Sequence, residues 1–403
     1  MAAKRNRGVT MAVDLKTTFC GLEFKNPMIV PAGVHGRSGE VIREISTYGP
    51  AAICTKTIVS QSAPDVLPCF SPVSAGMVNS VFGSDKTAEY WFNRGIAEAK
   101  EGESLVIANL AGFTPEEAGD LAEKAEKAGA DMIMLPTHCP HMGEILAAMF
   151  PGMPNAEPKL TDLEPMKQSV ARIKNKVKIP VVVKLSGTFL HIVKTWARGV
   201  KEAGADGIAC SDALGPALSI DIYSGEPVLG GPRGVGGLTG PAIMPITLRM
   251  VLEAAMETDL PIIGVGGVQS AADMVQYFMA GATLVGVCTA GHLKGPKRYS
   301  KILYDLEQLL KELGVFSPSE LRGKTLQRIK MREEAHRQAV TEKIVPEVFF
   351  DTCTGCGICE RVCAYDAVKV VNKKAVMDND RCIGCGLCVA SCPERALSQV
   401  YYP

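Results

Sequence analysis

Eight of the chain's fourteen cysteines fall within the forty residues from Cys353 to Cys392. They read Cys353-x2-Cys356-x2-Cys359-x3-Cys363 and Cys382-x2-Cys385-x2-Cys388-x3-Cys392, the second run closing on Pro393. Three thiolates spaced in this way wrap a turn of backbone around one iron–sulfur cubane, and the fourth reaches the neighbouring cluster. The rule gives Cys353, Cys356, Cys359 and Cys392 to one 4Fe–4S cluster and Cys382, Cys385, Cys388 and Cys363 to a second. Paired CxxC motifs also hold zinc, but the doubled four-cysteine run is the iron–sulfur pattern. Ala364 stands where proline often follows the fourth cysteine, and this touches no ligand. The other six cysteines are scattered, so the chain is no disulfide scaffold and suits a reducing, cytoplasmic compartment.

Clusters carry single electrons, and chemistry on an organic substrate needs a group that pairs them. A flavin does this. The chain has no complete G-x-G-x-x-G, so the ordinary dinucleotide fingerprint is missing. It does carry Gly264-Val265-Gly266-Gly267 and, further on, Cys288-Thr289, each directly after an apolar run. Two lysines, Lys56 and Lys184, and an asparagine, Asn109, close other apolar runs. A cation at such a place is costly to bury unless it meets an anion.

These residues need a scaffold. Eight apolar runs alternate with amphipathic stretches: Met28–Ala32, Ala51–Thr57, Leu105–Leu110, Asp131–Leu135, Val181–Leu185, Gly207–Ser211, Pro261–Val265 and Leu284–Cys288. Without strict alternation they suit parallel strands buried on both faces. Three Ala-Gly-Ala segments, at Gly129, Gly204 and Gly281, mark helix ends just before strands. An α/β fold follows, a (β/α)8 barrel over residues 14–314, with an open doubly wound sheet as the alternative. The connections Ile58–Ser84, Pro136–Thr161 and Asp212–Gly240 are long, read as structureless lids, and lie beyond the carboxyl ends of strands, where barrel active sites sit. Residues 1–13 read as a tail, 315–346 as a charged helical linker, and 347–403 as a small α+β ferredoxin-type module. With 43 basic and 43 acidic residues dispersed along the chain, nucleic acid is an unsuitable partner. No apolar run is long enough to span a membrane.

Taken together, Asn26-Pro27, Thr55-Lys56-Thr57, Lys86–Trp91, Cys139-Pro140-His141, Lys184, Gly237–Gly240 and Gly264–Val268 resemble the dihydroorotate dehydrogenase superfamily. The resemblance is nearest to the FMN barrel plus ferredoxin tail of the dihydropyrimidine dehydrogenases. It implies one FMN in the barrel, contacted by Ala32, Gly33, Lys56, Thr57, Asn109, Lys184, Ser211, Gly237, Gly266, Gly267, Cys288 and Thr289. It also implies an active-site cysteine on the loop after the fourth strand, here Cys139. At the substrate positions Asn79 is kept, whereas Pro136 and Asp212 stand where the family has asparagine. Asparagine amides that read a pyrimidine are thereby lost, which points to another substrate.

The expected reaction is reversible reduction of an activated C=C bond of a small molecule. Cys139 is the proton donor, and His141 and His138 are rival acids. The family enzyme's NADPH/FAD region has no counterpart, so the electron partner is expected to be a ferredoxin or an NAD(P)H-dependent flavoprotein subunit, within a homo- or hetero-oligomer. Pyrimidine reduction, an electron-relay subunit without its own substrate, a tRNA-dihydrouridine synthase-like enzyme and a flavin-free scaffold are the alternatives. Anaerobically purified protein should contain about one FMN and about eight irons per chain. Cys359→Ser should remove about half of the iron and leave the flavin; zinc in place of iron, or flavin lost together with the cluster, contradicts the assignment.

Overall fold

The computed structural model describes residues 12–62, 65–138, 161–336 and 342–399. It divides into two compact units, Met1–Lys330 and Met331–Pro403.

In the first unit eight parallel strands close into a barrel: Met28–Val30, Ala52–Cys54, Leu105–Asn109, Met132–Pro136, Val181–Leu185, Gly207–Cys210, Ile262–Val265 and Leu284–Gly286. Each pairs with the next, and the first pairs with the eighth. Successive side chains alternate between the inside of the barrel and the layer beneath the helices. Ile29, Ala52, Cys54, Ile107, Met132, Met134, Val182, Ala209, Ile263, Val265 and Leu284 fill the inside. Their neighbours Ile53, Val106, Ile133, Val183, Ile208 and Val285 pack outward with the helices. Phe19 and Phe24, from an amino-terminal hairpin of Thr17–Phe19 and Leu22–Phe24, join the inner cluster.

Local signals place the helices. Thr114 caps the helix Pro115–Lys127 by accepting from the Glu117 amide, with proline in the first turn. Ser270 and Asp273 form a reciprocal capping box on Ala271–Ala280. Gly129, Gly204 and Gly281 turn the chain at φ of +99°, +81° and +121°, ahead of the fourth, sixth and eighth strands. Beyond residue 314, Val315 and Leu321 are buried with the barrel's outer core, and the Gly323 amide donates to the Phe278 carbonyl.

Two of the three long connections depart from the structureless reading. Residues 58–84 carry the strands Phe70–Val73 and Gly76–Asn79, and residues 212–240 carry Leu214–Leu218 and Val235–Thr239. The two hairpins join through Val235–Thr239 against Gly76–Asn79 into one four-stranded antiparallel sheet. Backbone groups that loops would leave to water are paired instead. Of the third connection, residues 139–160 lie outside the described residues.

Among its described residues the second unit holds two short antiparallel pairs, Glu347–Val348 with Leu397–Ser398 and Val368–Val371 with Lys374–Met377, and the short helices Ile358–Val362 and Leu387–Ala390. Its core is Val368, Ala375, Leu397 and the buried cysteines.

The sheet made by the two connections turns on Gly76, at φ +151°, where a Cβ would lie 2.0 Å from the Thr239 carbonyl oxygen. Gly76→Ala should cost about 1–3 kcal/mol and splay the hairpins apart. Amides of residues 70–79 and 235–239 should exchange faster while barrel strands keep their protection. Unchanged exchange in both hairpins would show that the sheet does not depend on this contact.

Candidate active site

At the carboxyl ends of the strands lies a cavity of about 280 Å³, roofed on one side by the four-stranded sheet through Phe70, Met77 and Asn79. The inward alternation of the barrel, continued past the strand ends, selects its lining. Lys56 follows Cys54, Pro136 follows Met134, Lys184 follows Val182, Ser211 follows Ala209 and Cys288 follows Gly286, each two residues on and each lining the cavity. Ala32, Gly33, Thr57, Gly266, Gly267, Thr289, Asp212 and His138 line it as well. Asn109 shares the inward alternation behind this wall, fully buried, its amide donating to the Thr57 hydroxyl at 2.6 Å. Gly237 accepts from the Asn79 amide at 3.2 Å. Cys139 and His141 lie outside the described residues.

Both lysines meet carboxylates. Lys56 Nζ lies 2.8 Å from both oxygens of Asp65. Lys184 Nζ lies 2.8 Å from Asp212 Oδ2. Asp212 is therefore held as a counter-ion, its Oδ1 accepting from the Ala213 amide at 2.9 Å. His138 Nδ1 sits 3.4 Å from the Ser186 hydroxyl, and burial lowers its pKa against the opposing pull of Asp212. Its ring is accordingly neutral at pH 7.

A second cluster escaped sequence reasoning. His292 meets His35 edge-on at 4.7 Å, His35 Nδ1 lies 2.8 Å from the Tyr299 hydroxyl, and Cys288 Sγ lies 3.7 Å from His292 Nε2. Burial, then the neighbouring His35, pushes His292 down to about 4, and burial pushes the Cys288 thiol up to about 12. Cys288 is thus a neutral thiol. These residues come from the two ends of the barrel sequence, and only closure between the first and eighth strands brings them together. Asp65 was missed for a similar reason: nothing local distinguishes it from a solvated loop carboxylate.

A flavin phosphate fits the loops after the seventh and eighth strands. Gly266 and Gly267 take φ of +130° and +78°, and the Tyr277 hydroxyl fixes the first by donating to its carbonyl at 2.6 Å. The buried Asn109 Oδ1 is without a hydrogen-bond partner among the described residues, an acceptor that a bound group's N–H or O–H can satisfy. In the second unit, Cys353, Cys356, Cys359 and Cys392 surround one hollow and Cys363, Cys382, Cys385 and Cys388 surround another. Among the described residues no three His, Cys, Asp or Glu side chains converge as a single ion requires. Four thiols around a volume instead suit a cubane, in which each iron takes one.

Residues 14–310 match the family model described as dihydroorotate dehydrogenase. The chain belongs to the dihydroorotate dehydrogenase family. Residues 352–396 match the 4Fe-4S dicluster domain. Among curated proteins, the dihydroorotate dehydrogenase B (NAD(+)) catalytic subunit of Methanothermobacter thermautotrophicus is 33% identical over 310 residues, 77% of this chain and 97% of that protein. Proteins of the same description from Anoxybacillus flavithermus and Thermoplasma volcanium are each 32% identical, over 318 and 316 residues, covering 78% of this chain and 96% and 99% of theirs. About three quarters of this chain thus accounts for nearly all of each relative. As a member of the family it is an FMN- and iron–sulfur-dependent oxidoreductase of the class acting on CH–CH bonds. Among the described residues no helix is long and apolar enough to cross a membrane.

The buried His292 makes the site pH-sensitive. Unfolded, it binds a proton below about 6.5, whereas the folded ring does so only near 4, so stability is full above that window and falls as pH drops through it. In flavin-free protein, His292→Gln should flatten the decline in melting temperature between about pH 6.5 and pH 4. An unchanged slope would place the titration elsewhere.

Proposed function

We propose that the protein reduces, or in reverse forms, an activated C=C bond of a small organic substrate. The observation that carries this reading is the convergence of Lys56, Lys184, Ser211 and Cys288 by barrel alternation into one cavity, beside the glycine loop of Gly266 and Gly267. FMN held by these residues would supply hydride chemistry to the double bond and single-electron exchange with the clusters. The residues in reach of that cavity do the rest. Lys184, its ammonium group paired with Asp212, lines the cavity and would offer an N–H donor to the bound group. Pro136, Thr137 and His138 line the cavity, and the next residue is Cys139, which donates the proton to the second carbon. His138, neutral and hydrogen-bonded toward Ser186, orients the start of that loop.

The clusters are held by the two cysteine quartets, Cys353, Cys356, Cys359, Cys392 and Cys363, Cys382, Cys385, Cys388. Electrons come from a partner protein. The 403 residues contain no G-x-G-x-x-G, and the relatives' names combine NAD(+) with "catalytic subunit", which supports a separate nucleotide-oxidising chain. Dihydroorotate and uracil are poor substrates in this reading, since Pro136 and Asp212 replace the amides that would read them.

Anaerobic reduction followed by mixing with enones, unsaturated amides, thioesters and pyrimidines tests the proposal through flavin reoxidation. Cys139→Ala should keep cofactor content and slow reoxidation by about 10²–10⁴-fold. Near-wild-type reoxidation in that variant, with loss in His138→Ala or His141→Ala, would move the acid to a histidine. Rapid turnover of dihydroorotate or uracil would overturn the substrate argument.

A further inference from the structure

The cavity contains two lysines whose side chains are only 4% and 7% exposed, Lys56 and Lys184, and each is matched by a carboxylate at 2.8 Å. Among the described residues its formal charge is thereby balanced. The polar side chains around it are turned toward protein partners. Ser211 donates to the Asp212 carbonyl at 2.8 Å, Thr137 to the Lys184 carbonyl at 2.9 Å, and Asn79 to the Gly237 carbonyl at 3.2 Å. The opposite wall is apolar: Phe70, Met77, Val81 and Phe82. Among the described residues such a space offers an incoming carboxylate no uncompensated cation, and Asp212, itself lining the cavity, repels it.

The geometry points to Asp212 as the specificity-determining residue: by compensating Lys184 it restricts the site to an uncharged activated alkene bearing an apolar or aromatic group, and rejects anionic substrates. This rests on the reading that flavin and alkene share this cavity, and it goes further by naming the substrate's charge and the residue that sets it. Burial keeps His138 neutral as well, so this ring adds no cation to the cavity.

The test is a binding titration of FMN-loaded protein, read from the flavin absorbance band, with two probes of one shape, cinnamamide and cinnamate. Wild-type protein should bind the amide at least about tenfold more tightly. Asp212→Asn, close to isosteric, should shift the amide-to-cinnamate affinity ratio about tenfold in favour of cinnamate. Asp212→Ser, which also removes the charge, should shift in the same direction and covers the case of an asparagine variant that fails to fold. Equal binding of both probes by the wild type, or a preference unmoved in both variants, overturns the inference. So does a flavin-replete protein that responds to neither probe. Protein that takes up no flavin at all instead overturns the functional reading beneath it.

Discussion

Two ammonium groups at the inward-facing ends of barrel strands govern the rest of this site. A buried cation without a partner costs several kcal/mol, so each lysine dictates what must come near it. Lys56 draws Asp65 back from nine residues down the chain, and with it the connection that carries Phe70–Val73 and Gly76–Asn79. Lys184 holds Asp212 at the start of the connection that carries the other hairpin. Both hairpins therefore begin from segments tied to the cavity floor, and their union in one sheet gives the cavity its roof.

In the proposed function the Lys184–Asp212 pair is what separates this substrate site from one that reads a pyrimidine. The scaffold features that suit FMN are present: the glycine loop after the seventh strand, Cys288-Thr289 after the eighth, and lysines at the second and fifth strands. The two positions where the resemblance implies asparagine, Pro136 and Asp212, line the same cavity, and Asp212 pairs there with Lys184. A cofactor site and a substrate site in one cavity can thus diverge separately. The first depends on backbone and lysines, and the second on a few side chains at strand ends.

Legibility in the sequence followed the range of each interaction. The cysteine runs were readable because a cubane takes most of its ligands from one short turn. The eight strands and their helix caps were readable because apolar runs and cap residues act locally. The alternation inside the barrel was not, since strands buried on both faces show continuous apolar residues, and only polar Lys56, Asn109 and Lys184 betrayed the inward face. The hairpins were hidden by Pro72 and Pro216, which argue against strands. Both prolines lie on the outer strands of the four-stranded sheet, where a missing amide proton is tolerated. Lys184 and Asp212 are joined by pairing of the fifth and sixth strands, His35 and His292 by barrel closure, and no local pattern announces either.

In the proposed function the balanced lysine–carboxylate floor is the seat of the flavin. An anaerobic crystal structure of the FMN-loaded protein tests it most directly. The account predicts phosphate density against the Gly266–Gly267 and Cys288–Thr289 loops, the ring beside Lys184, and the Lys184–Asp212 pair still intact. Flavin density outside this cavity, or a ring seated in it with Lys184 and Asp212 swung apart, would contradict it.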